Sequence, residues 1–140
     1  MGHFSAKVAA PTAVDSGGGG MDPINWKALR LNCAGDETLM HEVLALFRNE
    51  AKGLLSDVAQ AVAAKDAAAV KRTSHRLKGA LVSLAAEHAT ECARELELCG
   101  ASGVLNDANF LFSELELLAK QCNLAVELLL RLGAHAADEL

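Results

Sequence analysis

The chain has 140 residues and a net charge of −5, so no strongly basic surface for nucleic acid stands out at the whole-chain level. It is 51% hydrophobic but only 4% aromatic, with no tyrosine and two prolines, so leucine and alanine must supply the interior, which favours helices over a β-sandwich. No run of about 18 apolar residues is present, which excludes a transmembrane helix, and the first residues lack the compact apolar segment of a secretory signal.

Residues 1–21 have no sustained period and include four successive glycines, Gly17 to Gly20. They read as a flexible tail or linker, with Met21 as a second start. From Asp22 the texture changes. In "DPINWKALRLN" Asp22 suits an N-cap and Pro23 a first helical position, which predicts a short helix folding Ile24, Trp26 and Leu29 onto a neighbour. Gly35 breaks this helix. A second helix is expected from Asp36 to about Ala64, with Leu39, Val43, Leu46, Phe47, Leu54, Val58 and Val62 at helical spacing.

Asp66 suits the N-cap of a third helix, in which Val70, Ser74, Leu77, Leu81 and Leu84 form a bundle seam. A fourth helix is expected over roughly Glu87 to Cys99, with Ala89, Cys92, Ala93, Leu96 and Cys99 inward and Gly100 and Gly103 as its stop. Asn106 or Asp107 then caps a last helix from about Ala108 to Leu132, closed by Gly133. No strand pattern occurs. The expected fold is all-α: an antiparallel up-and-down four-helix bundle over residues 22–133, with the short N-terminal helix capping one end and a loose C-terminus over 134–140. One seam per helix makes a monomer the default.

The third helix carries the most informative cluster. At 100° per residue His75 lies about 200° from Leu77, so it faces solvent. Lys71, Arg72, Lys78, Gly79 and Val82 share its face. Gly79 costs about 1 kcal/mol against alanine in a helix interior, and its exposed position makes close packing within the bundle a poor reason for it. A phosphoryl group on the imidazole accounts for the cluster jointly. A neutral ring nitrogen is a nucleophile, and phosphorylation adds about two negative charges that Lys78, with Lys71 or Arg72, can meet. Gly79 leaves space for that group and for a docking partner, and Val82 adds an apolar rim. No general base, metal cluster or phosphate-binding glycine loop accompanies His75. The phosphoryl group must therefore come from another protein.

These residues are also familiar together. "HRLKGALVSLAA" resembles the signature of the histidine-containing phosphotransfer (HPt) domain family, in which H-x-L-K-G is followed by small residues and an apolar position. His75, Leu77, Lys78, Gly79, Ala80 and Leu84 match it. "INWKALRLNCAGDETLMHEVLALFRNEA" looks like the entry helix and first bundle helix of that family, and the resemblance spans residues 22 to 132. It implies a four-helix bundle whose histidine takes a phosphoryl group from a receiver-domain aspartate and passes it to another receiver. By that resemblance His75 is the phosphoacceptor, Lys78 stabilises the phosphoryl group and Gly79 gives access. The expected partners are response-regulator receiver domains and a hybrid sensor histidine kinase, with Mg²⁺ on the receiver and no cofactor here. The protein is then a phosphotransfer intermediate in the cytoplasm, not an autonomous kinase. Two positions depart from the family: Ala85 replaces the usual glycine and favours helix, and Leu81 replaces a small residue.

Two other functions compete. The same bundle can bind receivers without being phosphorylated, against which the intact His75, Lys78 and Gly79 argue. A metal site on His88, Cys92 and Cys99 is the other. The cysteines of that stripe also fit the core, and no second ligand pair stands on another helix. The four cysteines form no C-x-x-C, which excludes a zinc ribbon or thioredoxin motif. In a cytoplasmic protein they are expected to be reduced thiols. Glu114 and Glu116 are two apart and cannot share a helix face, which excludes a paired-carboxylate glycosidase site.

Overall fold

The computed structural model describes residues 22–132. The tail assigned to residues 1–21 and the loose end assigned to 134–140 lie outside them. Five helices follow in order: α1 (Trp26–Asn32), α2 (Glu37–Ala63), α3 (Ala67–Ser83), α4 (Glu87–Ser102) and α5 (Ala108–Leu132), with no strand among the described residues. Each of the four long helices packs against two others. α3 lies between α2 and α4, and α5 closes the ring against α2 and α4, so α3 and α5 stand on a diagonal. This is the expected up-and-down bundle.

The caps explain the boundaries. Asp36 Oδ1 accepts from the backbone N–H of Thr38 at 2.9 Å and of Leu39 at 3.1 Å, and Asp66 Oδ1 accepts from Ala69 at 3.1 Å, the latter as its position predicted. The entry helix starts later than expected. Asn25, not Asp22, is its N-cap, with Oδ1 accepting from Ala28 at 3.0 Å, and Pro23 precedes the helix. Asn25 also docks the helix: its N–H donates to the Ala85 carbonyl at 2.9 Å and its side chain to Glu87 at 3.1 Å. Ile24 and Leu29 are fully buried over this end of the bundle.

Three helices end in the same way. After α3 the Ala85 N–H donates to Val82 and the Ala86 N–H to Leu81, both at 3.0 Å, with Ala85 at φ 62°. This is a Schellman motif with alanine at the left-handed position that glycine normally fills. Ala85 therefore ends the helix instead of extending it, which is the physical meaning of its departure from the family pattern. Lys65 after α2 and Ala34 after α1 repeat the motif, each at φ 54°. A non-glycine residue in this conformation costs about 1–2 kcal/mol. Lys65→Gly is therefore expected to stabilise the protein by about 1 kcal/mol in denaturant titrations. Ala85→Gly should yield less, because the Ala85 methyl is packed in the core.

The structure differs from expectation in part of the α2 seam and in the end of α4. On α2 the buried residues are Met40, Leu44, Phe47, Ala51, Val58, Ala61 and Val62, while Leu39 and Leu46 face outward. Phe47, Val58 and Val62 are buried as inferred and Val43 and Leu54 pack against the core, so only Leu39 and Leu46 of the expected stripe fall outside it. On α4, Gly100 is no stop. It lies inside the helix, buried against α3, and a Cβ there would meet the Lys71 backbone and stand 2.8 Å from the Ala67 carbonyl oxygen. The left-handed Gly103, φ 80°, ends α4. Leu81 and Ser74 are fully buried, as the α3 seam requires, and the α5 stripe falls on Leu111, Leu115, Cys122, Val126 and Leu129.

Candidate functional site

The close approach at Gly100 sets the geometry of the site. With no side chain between them, α4 and α3 touch backbone to backbone at Lys71. One turn earlier on α4, Glu97 comes level with His75 and Lys78. Its carboxylate takes both: Oε2 lies 2.8 Å from His75 Nδ1, and Oε1 lies 2.7 Å from Lys78 Nζ. Both partners hold its carboxyl below the ordinary value of 4.5, the Lys78 hydrogen bond contributing most and the His75 bond also lowering it, against the opposing effect of partial burial.

The imidazole itself remains open, with the His75 side chain 66% exposed against 17% for Glu97. An ionised carboxylate can only accept, so Nδ1 carries the proton toward Glu97. The remaining nitrogen, Nε2, is then unprotonated in the neutral ring. This tautomer follows from the partner, in the way a hydrogen bond at one ring nitrogen assigns the other.

Two shallow grooves flank the ring. Lys71, Arg72, Arg76 and Glu97 line the first with His75. The second joins Gly79, Ala80 and Ser83 to Val43, Leu46, Phe47 and Leu54 of α2, with Glu50 and Arg76 at its border. A Cβ on Gly79 would meet nothing within 4 Å, so packing within the bundle does not account for this glycine. Val82 is exposed farther along α3 and lines neither groove. Lys71, Arg72, His75 and Gly79 thus share the exposed side of α3, whereas Lys78 is turned into an ion pair with Glu97.

Sequence spacing on one helix missed Glu97 and Arg76. Glu97 had a signal: eleven residues back from Ala86 is His75, and eleven forward is Glu97. An antiparallel helix pair turning there places the two side by side. Arg76 borders both grooves and stands 3.9 Å from Asp57.

Of the stripe considered for a metal, Cys92 is built into the core, while His88 and Cys99 are half-buried. Cys92 is buried and its Sγ donates to the Leu111 carbonyl at 3.3 Å, and burial pushes its thiol up to about 12. A thiol held protonated is a poor ligand. Among the described residues no group of three or more His, Cys, Asp or Glu side chains is placed to hold a metal ion, and no helix is long and apolar enough to cross a membrane.

The site is thus an open histidine on a helical bundle, bonded at one ring nitrogen to a carboxylate of the neighbouring helix. The family model for the Hpt domain matches residues 42–137, and the chain belongs to that family. Its class of function is thus histidine phosphotransfer in two-component signalling. Among solved structures it is similar to histidine-containing phosphotransfer protein B (HptB) from Pseudomonas aeruginosa PAO1, with a TM-score of 0.73 and 21% identity over 79% of this chain and 96% of that one. No curated protein sequence matches it.

Proposed function

We propose that His75 accepts a phosphoryl group from the aspartyl phosphate of one receiver domain and passes it to the aspartate of another. The observation that carries this reading is the Glu97 tether on an otherwise open imidazole. The Nε2 lone pair attacks phosphorus, the N–P bond forms, and the P–O bond to the aspartate breaks to release a carboxylate. No proton need leave. The ring becomes cationic with its proton still on Nδ1, and the Glu97 carboxylate lies 2.8 Å from that charge. This accounts for a site without a general base. Transfer onward reverses the steps.

Lys78 stands beside the same carboxylate and stabilises the added phosphate, with Lys71 and Arg72 contributing a diffuse positive field from the first groove. Mg²⁺, where required, belongs to the receiver. The second groove, where Val43, Leu46, Phe47 and Leu54 stand beside Glu50 and Arg76, and the exposed Val82 on α3 provide the surface on which the receiver rests. The donor is a receiver, including one carried by a hybrid sensor kinase, and the protein is a carrier, not an autonomous kinase.

The test is transfer of labelled phosphate from phosphorylated receiver domains. Wild type should take up label and His75→Gln should take up none. Binding of receivers without any transfer would instead support the interaction module. Gly79 separates access from stability. Gly79→Ala should raise helix stability by about 0.5–1 kcal/mol with transfer largely kept, because the added methyl meets nothing. Gly79→Leu should keep the helix and lose transfer by roughly tenfold or more, since its side chain enters the docking surface. Normal transfer by Gly79→Leu would remove the steric account of this glycine.

A further inference from the structure

Arg76 is the one side chain that lines both grooves beside His75. The bundle holds it loosely. Its Nη1 stands 3.9 Å from Asp57 Oδ2, and the two side chains are 62 and 47% exposed. An ion pair this long and this open to water is worth little and is easily exchanged. Lys78 is the contrast. Its side chain is 22% exposed, and its Nζ is held 2.7 Å from Glu97.

The two cations also stand on different flanks of the ring. α3 lies between α2 and α4. Glu97, on α4, holds both His75 Nδ1 and Lys78. A ring that gives Nδ1 to α4 turns Nε2 away from it. Arg76 stands on the other flank, where it meets Asp57 of α2. Helical side chains lean toward the helix N-terminus. Arg76, one residue after His75, therefore leans back beside the ring and lines its groove. Lys71 and Arg72 lie a turn earlier and lean away from it.

We propose that Arg76 is the side chain that binds the phosphoryl group on Nε2, leaving Asp57 to do so. The proposal rests on His75 as the phosphoacceptor. A guanidinium presents its N–H donors in a planar fork that can meet two phosphoryl oxygens at once. The phosphoryl group brings about two negative charges, against the single charge of Asp57. Asp57 and Glu50, both on α2, are the acids that compete for Arg76 on that flank. On the α4 flank Glu97 and Lys78 offset each other, and Lys71 and Arg72 add a background field. Lys78 thus acts from beside Glu97, and Arg76 by direct contact.

The test is the equilibrium of phosphate between His75 of the full chain and one receiver domain, read with labelled phosphate. This equilibrium does not depend on how the two proteins dock, so a role in docking alone would leave it unmoved. Arg76→Gln should lower the share on His75 by about fivefold, and Arg76→Lys should fall between it and wild type. Arg131→Gln removes the same charge from the last turn of α5 and should change nothing. Nitrogen–proton NMR gives a second reading. The Arg76 guanidinium signals, identified by their loss in Arg76→Lys, should shift when His75 is phosphorylated. An equilibrium unchanged in Arg76→Gln, an equal change in Arg131→Gln, or Arg76 signals that do not move would each overturn the proposal and leave His75 as the acceptor. A wild-type chain that takes no label on His75 would overturn the acceptor itself, and the proposal with it.

Discussion

Replacing Gly100 with alanine is expected to destabilise the protein by about 3 kcal/mol or more, the upper range for overpacking a tight contact. The added carbon would meet the Lys71 backbone and lie 2.8 Å from both the Ala67 carbonyl oxygen and Lys71 Cα. Backbone cannot rotate aside as a side chain can, so α4 must move off α3. The consequence reaches the site, because Glu97 is one turn from Gly100 and depends on the same approach to touch His75 and Lys78. Urea unfolding should show the loss, and transfer by the folded fraction should be slowed as well. A serine or alanine variant of ordinary stability would mean that the helices do not touch here. Gly53 gives the control: it is also mid-helix, but a Cβ there meets nothing within 4 Å, so Gly53→Ala should stabilise by about 0.5–1 kcal/mol.

The second large effect is expected at Glu97, a positioning residue for His75. Glu97→Ala removes the acceptor for Nδ1–H and should slow transfer by at least about tenfold, because both the Nε2 lone pair and the compensation of the charged ring depend on it. Nitrogen NMR of His75 separates this from a structural role: the Nδ1–H tautomer should dominate in wild type and lose that dominance in Glu97→Ala. Glu97→Gln keeps an acceptor but not the charge, and should fall between them.

The pH dependence has a defined sign. Glu97 titrates below 4.5 in the folded protein, held there first by Lys78 and then by His75. Its contribution to stability is therefore fully present above the unfolded carboxylate range and is lost as pH falls through the lower folded value. The destabilisation caused by Glu97→Gln should thus be largest near neutral pH, about 1 kcal/mol, and should shrink toward zero in acid. A difference that grows in acid would reverse the assignment.

What the sequence made legible follows the range of each interaction. The cluster on α3 lies within three turns of one helix, so 100° spacing was enough to bring Lys71, Arg72, His75 and Gly79 to one side. Asp66 announced its helix because an N-cap bonds only two or three residues ahead. Errors arose where a residue type has two meanings. Gly100 has the signature of a helix stop, yet its missing side chain serves contact with another helix. Ala85 has the signature of a helix former, yet the chain must turn there, and the backbone is held left-handed by bonds to Val82 and Leu81. Pro23 and Asp22 suit a helix start, but Asn25 can also reach Ala85 and Glu87, and that tertiary anchor sets the boundary. Glu97 was hidden because its role depends on pairing between helices, which periodicity within one helix does not contain.

The most direct measurement is to phosphorylate the wild-type chain from a receiver domain and locate the phosphoryl group by chemistry and by mass spectrometry. The account predicts a single label, labile in acid and stable in base, on His75, attached at Nε2 by phosphorus–nitrogen NMR coupling, and absent from His75→Gln. Label on Nδ1, on another residue, or retained by His75→Gln would contradict it.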